Sequence, residues 1–144
     1  MPYRPVHAII EDQRPVTANS DITVEAAAQL MKRHRIGAIL IVEHDRLAGI
    51  FTERDALFRV IAEGRDPKAT RVAEVMTPNP RTIEADRPFG HALHLMYEGG
   101  FRHVPVVEGA RPIGMVSARD ALGPDLQQFI SDLDTRTHIG EILG

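Results

Sequence analysis

The chain of 144 residues has no cysteine and no tryptophan, few aromatic residues, and only a small net charge of −3 from 17 basic and 20 acidic side chains. Each scarcity excludes something. Without cysteine there are no disulfides, thiolate nucleophiles or Cys-ligated zinc or iron, which fits a reducing compartment, so a cytoplasmic protein is expected. Balanced charge leaves no global field to draw in nucleic acid. The longest unbroken apolar run, Ala38 to Val42, is far below the roughly 20 residues that span a bilayer. The stretch Met1 to Ile10 has neither the basic flank nor the apolar core of a signal segment, so no membrane association is expected. No dinucleotide fingerprint, phosphate loop, His-Glu-x-x-His or nucleophile elbow occurs, which argues against an enzyme. What is there is ordinary: 43% hydrophobic and 26% charged residues, the composition of a folded domain able to bury about two thirds of its unfolded surface.

The chain repeats itself. A shift of 65 positions lays Thr17 on Thr82, Asp21 on Asp86, Ala27 on Ala92, Leu30 and Met31 on Leu95 and Met96, and Gly49 on Gly114. It ends with Arg54, Asp55, Ala56 and Leu57 on Arg119, Asp120, Ala121 and Leu122, with no gap. Apolar character is kept between the identities, as in Ile39 with Val104 and Ile50 with Met115. Two copies make a duplicated half-domain and not a solenoid, which needs about three units or more.

Each copy reads as a helix followed by a hairpin and a second helix. Asp21 to Arg35 spaces Val24, Ala27, Met31 and His34 three or four apart, an amphipathic helix capped by Asp21 or Thr23. Its counterpart runs from Pro88, suited to a first helical position, to the glycine pair Gly99 and Gly100. Short apolar runs follow, Ala38 to Val42 and Leu47 to Phe51, then His103 to Val107 and Pro112 to Val116, joined by turns at His44 to Arg46 and Gly109 to Arg111. A helix from Thr52 to about Ala62 comes next; in the second copy Gly123 and Pro124 interrupt it, and Pro124 opens another through Leu133. Val72 to Met76 is predicted to form a helical turn. Met31 and Met96 are core residues at matching positions.

The residues after each hairpin carry the chemistry. A glycine at a strand end lets a ligand approach the backbone, and a helix start offers N–H groups and a positive dipole end to an anion. Thr52 and Ser117 can donate to a phosphate, and Asp55 and Asp120, one turn on, can accept from vicinal ribose hydroxyls. The same spacing also serves as an N-terminal cap with a helpful acid, which needs no ligand. An adenine would need an apolar slot, for which Ile39, Ile41, Ile50, Val104, Val106 and Met115 are candidates. Arg102 and His103 stand where the first copy has Gly37 and Ala38, so two such sites should be unequal.

The heptads Gly49-Ile50-Phe51-Thr52-Glu53-Arg54-Asp55 and Gly114-Met115-Val116-Ser117-Ala118-Arg119-Asp120, with Arg102-His103-Val104-Pro105-Val106-Val107 and Val75-Met76-Thr77-Pro78, give a motif set that resembles the tandem cystathionine-β-synthase (CBS) domain pair, or Bateman module. The resemblance implies an α/β fold of the α+β type, in which two β-α-β-β-α repeats related by a pseudo-twofold axis pack into one globular module. It implies units of 1–66 (with an N-terminal lead-in), 67–123 (linker and second repeat) and 124–144 (C-terminal helix and tail). It also implies a stand-alone, non-enzymatic sensor that binds an adenine nucleotide (AMP, ADP or ATP), with NAD or S-adenosylmethionine as further candidates. The ligand-binding residues it implies are Thr17, Ile39, Gly49, Thr52, Arg54, Asp55, Thr82, Arg102, His103, Val104, Pro105, Gly114, Ser117, Arg119 and Asp120. A homodimer and a regulated partner protein follow from the same resemblance; the alternative is a ligand-free dimerisation module.

Other constellations carry less. His91 and His94 lie three apart on a predicted helix with no third metal ligand, and Lys32 to Arg35 form a basic cluster at a helix C-terminus, where the dipole favours cations. Leu30, Leu57, Val60, Ile61, Leu93 and Leu122 exceed what one sheet face can cover, so some are expected to face a second chain.

Overall fold

In a computed structural model, described at residues 4–123, 129 and 131–136, the chain folds into two sheets with helices packed on each. The first sheet has the order β1-β2-β3-β4, with strands Thr17–Asn19, Ala38–Glu43, Arg46–Thr52 and Thr77–Pro78. The second has the order β5-β6-β7, with strands Ile83–Glu84, His103–Glu108 and Arg111–Ser117. In each, a short strand runs parallel to the first strand of the hairpin, and the crossover between them is a helix, α2 (Val24–His34) or α4 (Phe89–Gly99). Both hairpins carry a register shift at equivalent places, Ile41/Val42 and Val106/Val107. The duplication seen in the sequence is thus a duplication of the α/β fold.

Local chemistry explains the boundaries. Thr23 caps α2, its hydroxyl accepting from the Ala26 N–H at 3.1 Å. Pro88 is the N-cap of α4 and not its first helical residue, with an extended ψ of 144°. The first hairpin turns on His44 and Asp45 alone, both at positive φ (52° and 62°), the mirror-image turn that suits strand twist. Arg46 and Arg111, expected in the turns, pair with Glu43 and Glu108 as the first residues of β3 and β7. After β3, helix α3 (Glu53–Asp55) continues as a π-helical segment, Ala56–Ile61. After β7 comes a 3-10 turn, Ala118–Ala121. The expected helix from Pro124 to Leu133 lies mostly outside the described residues, although 131–136 are helical.

The lead-in segments are exchanged between repeats. Val6 and Ile10, on α1 (Val6–Ile10), pack with Ile83, Phe89, Met96 and Val116 in the core of the second repeat. Val72 and Val75 pack with Val24, Met31, Ile39 and Phe51 in the core of the first. The backbone repeats the exchange: the Val6 N–H donates to the Arg87 carbonyl and the Val72 N–H to the Ile22 carbonyl, both at 2.8 Å. Between the repeats lies a third apolar cluster of Ala38, Leu40 and Ile50, with Leu47 and Met115 against it. Strand alternation produces this division, since residues one apart on β2 point to opposite faces. Of the surplus apolar helix positions, Val60 lies in the first core at 2% exposure, whereas Leu57, Ile61 and Leu122 remain exposed. Leu30 and Leu93 are partly buried against their own cores.

Candidate functional site

A cleft of about 710 Å³ opens between the repeats. One wall is the start of α3 and the π-helical segment behind it: Thr52, Glu53, Arg54, Asp55, Phe58 and Arg59. The rim is Thr77 with Asn79, Pro80 and Arg81, and the opposite wall is Gly99 to His103 of the second repeat. The sequence had placed Arg102 and His103 with the second copy; they face Thr52 and Asp55 of the first. Four arginines against two carboxylates make the lining cationic.

The floor is a closed capping box. The Asp55 carboxylate accepts from the Thr52 N–H at 3.0 Å and from its hydroxyl at 3.1 Å, and the Thr52 hydroxyl accepts from the Asp55 N–H at 3.2 Å. The Glu53 N–H is likewise used, donating to the Gly37 carbonyl at 2.9 Å. Three first-turn N–H groups are therefore satisfied within the protein, and attraction for an anion falls to the arginines more than to the helix end. Each arginine is held differently. Arg59 Nε lies 3.5 Å from Asp55 Oδ1. Arg54 reaches across the cleft to the Gly100 carbonyl at 3.4 Å, with its guanidinium 5.3 Å above the Phe58 ring. Arg81 pairs with Glu98 at 3.7 Å. Arg102 is exposed. Burial holds His103 below the ordinary imidazole range; Glu53 and Asp120 work against that and Arg102 reinforces it, so the ring favours its neutral form.

Other sequence candidates lie elsewhere. Ile39 and Val104 are fully buried in separate cores and Pro105 is fully buried, while Ile50, one strand position over in facing, lines the cleft. Gly49 and Gly114 reach neither hollow, because their missing side chains admit the protein's own lead-ins. A Cβ on Gly49 would stand 2.5 Å from Met76 Sδ and 2.9 Å from the Thr77 oxygen, and one on Gly114 would stand 2.9 Å from Ile10 Cβ. Thr17, on β1, and Thr82, beside Arg81, are exposed outside the lining. Arg119 and Asp120 border a smaller hollow of about 480 Å³ with Arg4, Ala8, Ile9, Leu122 and Gly123. There the Ser117 N–H donates to Asp120 at 2.8 Å and Arg4 donates to the Asp120 carbonyl at 2.8 Å. Sequence reasoning missed Glu53, Phe58, Arg59, Asn79, Pro80, Arg81 and Phe101. The four-residue step from Asp55 to Arg59 on a predicted helix was a usable signal for one of them. His94 is engaged by Glu98 at 2.7 Å, and no cluster of three metal-ligating side chains occurs among the described residues. None of the helices among those residues is long and apolar enough to cross a membrane.

Comparison with known proteins decides what this arrangement is. The CBS domain profile matches residues 8–62 and 72–123. The chain belongs to the CBS domain family. It is 38% identical over 108 residues to the Arabidopsis thaliana CBS domain-containing protein CBSX3, mitochondrial, covering 72% of this chain and 52% of that one. It therefore spans about half the length of that relative, and only 20% of the related Arabidopsis CBSCBSPB1. A putative signal-transduction protein with CBS domains from Burkholderia ambifaria superposes with a TM-score of 0.80 at 34% identity, covering 86% of this chain and 95% of that one. The CBS domain pair of protein MJ0100, in complex with 5′-methylthioadenosine and S-adenosyl-L-methionine, superposes at 0.76 with 31% identity, covering 83% and 94%. Tandem CBS repeats in one α/β module are thus the architecture of the chain and of its structural neighbours.

Proposed function

We propose that the protein is a non-enzymatic regulatory module that binds an adenine nucleotide in the cleft between its CBS repeats. The observation that carries this reading is the Thr52–Asp55 box of one repeat facing Arg102 and His103 of the other across about 710 Å³. In that pose Asp55 accepts from the ribose, Ile50 and Phe58 cover the base, and Arg54 and Arg102 hold the phosphate by paired charge-assisted hydrogen bonds. The adenosyl complex of the MJ0100 pair supports this ligand class. The arginine-rich lining favours AMP, ADP or ATP over the cationic S-adenosylmethionine, and NAD remains compatible. A thermal-shift panel of the five tests it, because a ligand that binds only the folded state stabilises it by about 2.7 kcal/mol at a hundredfold excess over Kd. A shift from AMP, ADP or ATP that is abolished in Asp55→Ala supports the reading; silence from the whole panel refutes it.

A second reading rests on its own observations. The capping box is complete without a ligand, and Leu57, Ile61 and Leu122 are 51%, 69% and 59% exposed. These fit a homodimer closed through helix faces, acting on a partner protein with no nucleotide at all. The cysteine-free composition fits the cytoplasm as its compartment.

A further inference from the structure

Arg59 ties the floor of the cleft to the segment that leads into its rim. Its Nε lies 3.5 Å from Asp55 Oδ1, while Nη1 donates to the carbonyls of Val75 at 3.2 Å and Met76 at 3.1 Å. The first contact holds the carboxylate oxygen that the Thr52 box leaves over, since the box bonds run to Oδ2. The other two tie the π-helical segment to the two residues just before β4, and so to the rim that continues into Asn79 and Arg81. Asp55 is 7% exposed, so how its carboxylate is turned depends on these partners rather than on water. One arginine therefore sets both the direction of the acceptor on the floor and the place of the rim above it.

At the equivalent position the second repeat has no arginine. The shift of 65 that lays Asp55 on Asp120 lays Arg59 on Pro124, which carries no guanidinium. We infer that Arg59 is the positioning residue of the nucleotide site: it holds Asp55 ready for the two ribose hydroxyls and makes the Thr52–Asp55 cleft, not its pseudo-symmetric twin, the one that reads ribose. This rests on the nucleotide reading and adds a residue and a ligand feature to it. Arg59 acts through Asp55 and the rim, so its removal alters selectivity for the hydroxyls more than attraction for the phosphate.

The test compares AMP with its 2′,3′-dideoxy analogue by calorimetric titration of the wild type, Arg59→Gln and Arg59→Lys. In the wild type, AMP binds about ten- to a hundredfold more tightly, the loss that follows when hydrogen bonds to a charged acceptor are removed. In Arg59→Gln that ratio falls to within about threefold of one, while the affinity for the dideoxy analogue changes less than the affinity for AMP. Arg59→Lys restores part of the ratio, and it remains informative if the glutamine variant unfolds. A ratio unchanged in both variants overturns the role of Arg59 and leaves the nucleotide reading standing. A wild type that binds AMP without preferring it to the dideoxy analogue overturns the inference, and a wild type that binds neither overturns the nucleotide reading with it.

Discussion

Replacing Gly49 with alanine should damage fold and site together. The added Cβ would meet Met76 Sδ at 2.5 Å and the Thr77 carbonyl oxygen at 2.9 Å. The thioether can swing aside, but the carbonyl cannot. It belongs to β4, whose register pairs Gly49 with Pro78 and Ile50 with Thr77, and the Asn79 N–H donates to the Ala48 carbonyl at 3.1 Å just beyond. Relief therefore requires β4 to move as a unit. Overpacking of this kind costs about 1–3 kcal/mol, and the reduced freedom of an alanine in the unfolded chain returns about 0.4–1, leaving a net loss centred on about 1.3 kcal/mol. Urea unfolding at 25 °C should show a lower midpoint at an unchanged slope. Because β4 leads directly into the cleft rim, nucleotide affinity should fall as well. Gly114→Ala is the control: its Cβ would press on Ile10 of α1, which does not line the cleft, so it should cost comparable stability and leave affinity intact. The reasoning fails if Gly49→Ala matches the wild type in stability, or if both variants lose affinity equally.

Arg35 ends α2 at φ 54°, where the second repeat has Gly100 at φ 72°; Arg35→Gly should therefore raise stability by about 0.5–1 kcal/mol in urea unfolding, the relief of a left-handed non-glycine residue less the entropy cost of glycine. Burial lowers the His103 pKa below the ordinary imidazole range, so the unfolded chain takes up the proton first. Stability should thus fall as pH drops from about 7 through the ordinary histidine range, and level off once the folded-state pKa is passed. His103→Gln should lose that component, visible as a difference between the two stability-pH curves. Light scattering at tens of micromolar should report about twice the 16.0 kDa chain mass, and Ile61→Asp, on the most exposed of the apolar helix positions considered, should return it to the monomer.

Much of this was legible in the residues alone, and the limits are physical. A gapless repeat of two hairpins, each followed by a hydroxyl and an acid three apart, is a local pattern, and it led to the two capping boxes and half of the cleft wall. Strand facing was harder: Ile39 and Ile50 are equally apolar, and a single position of register separates a core residue from a cleft residue. The exchange of lead-ins left no local mark, because Ile10 and Val75 suit either core. It decides nonetheless why Gly49 and Gly114 must lack side chains. Arg102 stands out in the sequence as a departure between copies. That it lines one cleft with Thr52 and Asp55 of the other repeat depends on how the sheets pack.

Titration of the wild type and Arg102→Ala with AMP and with adenosine tests the central claim most directly. Arg102 faces the cleft and offers two parallel charge-assisted hydrogen bonds to a phosphate. The wild type should therefore bind AMP in one tight event per chain, and the variant should lose about tenfold or more for AMP but almost nothing for adenosine. Raised salt should narrow that gap, since an exposed pair is screened over about 10 Å at 0.1 M. Equal losses for both ligands, two equivalent tight sites, or no binding by the wild type would contradict it.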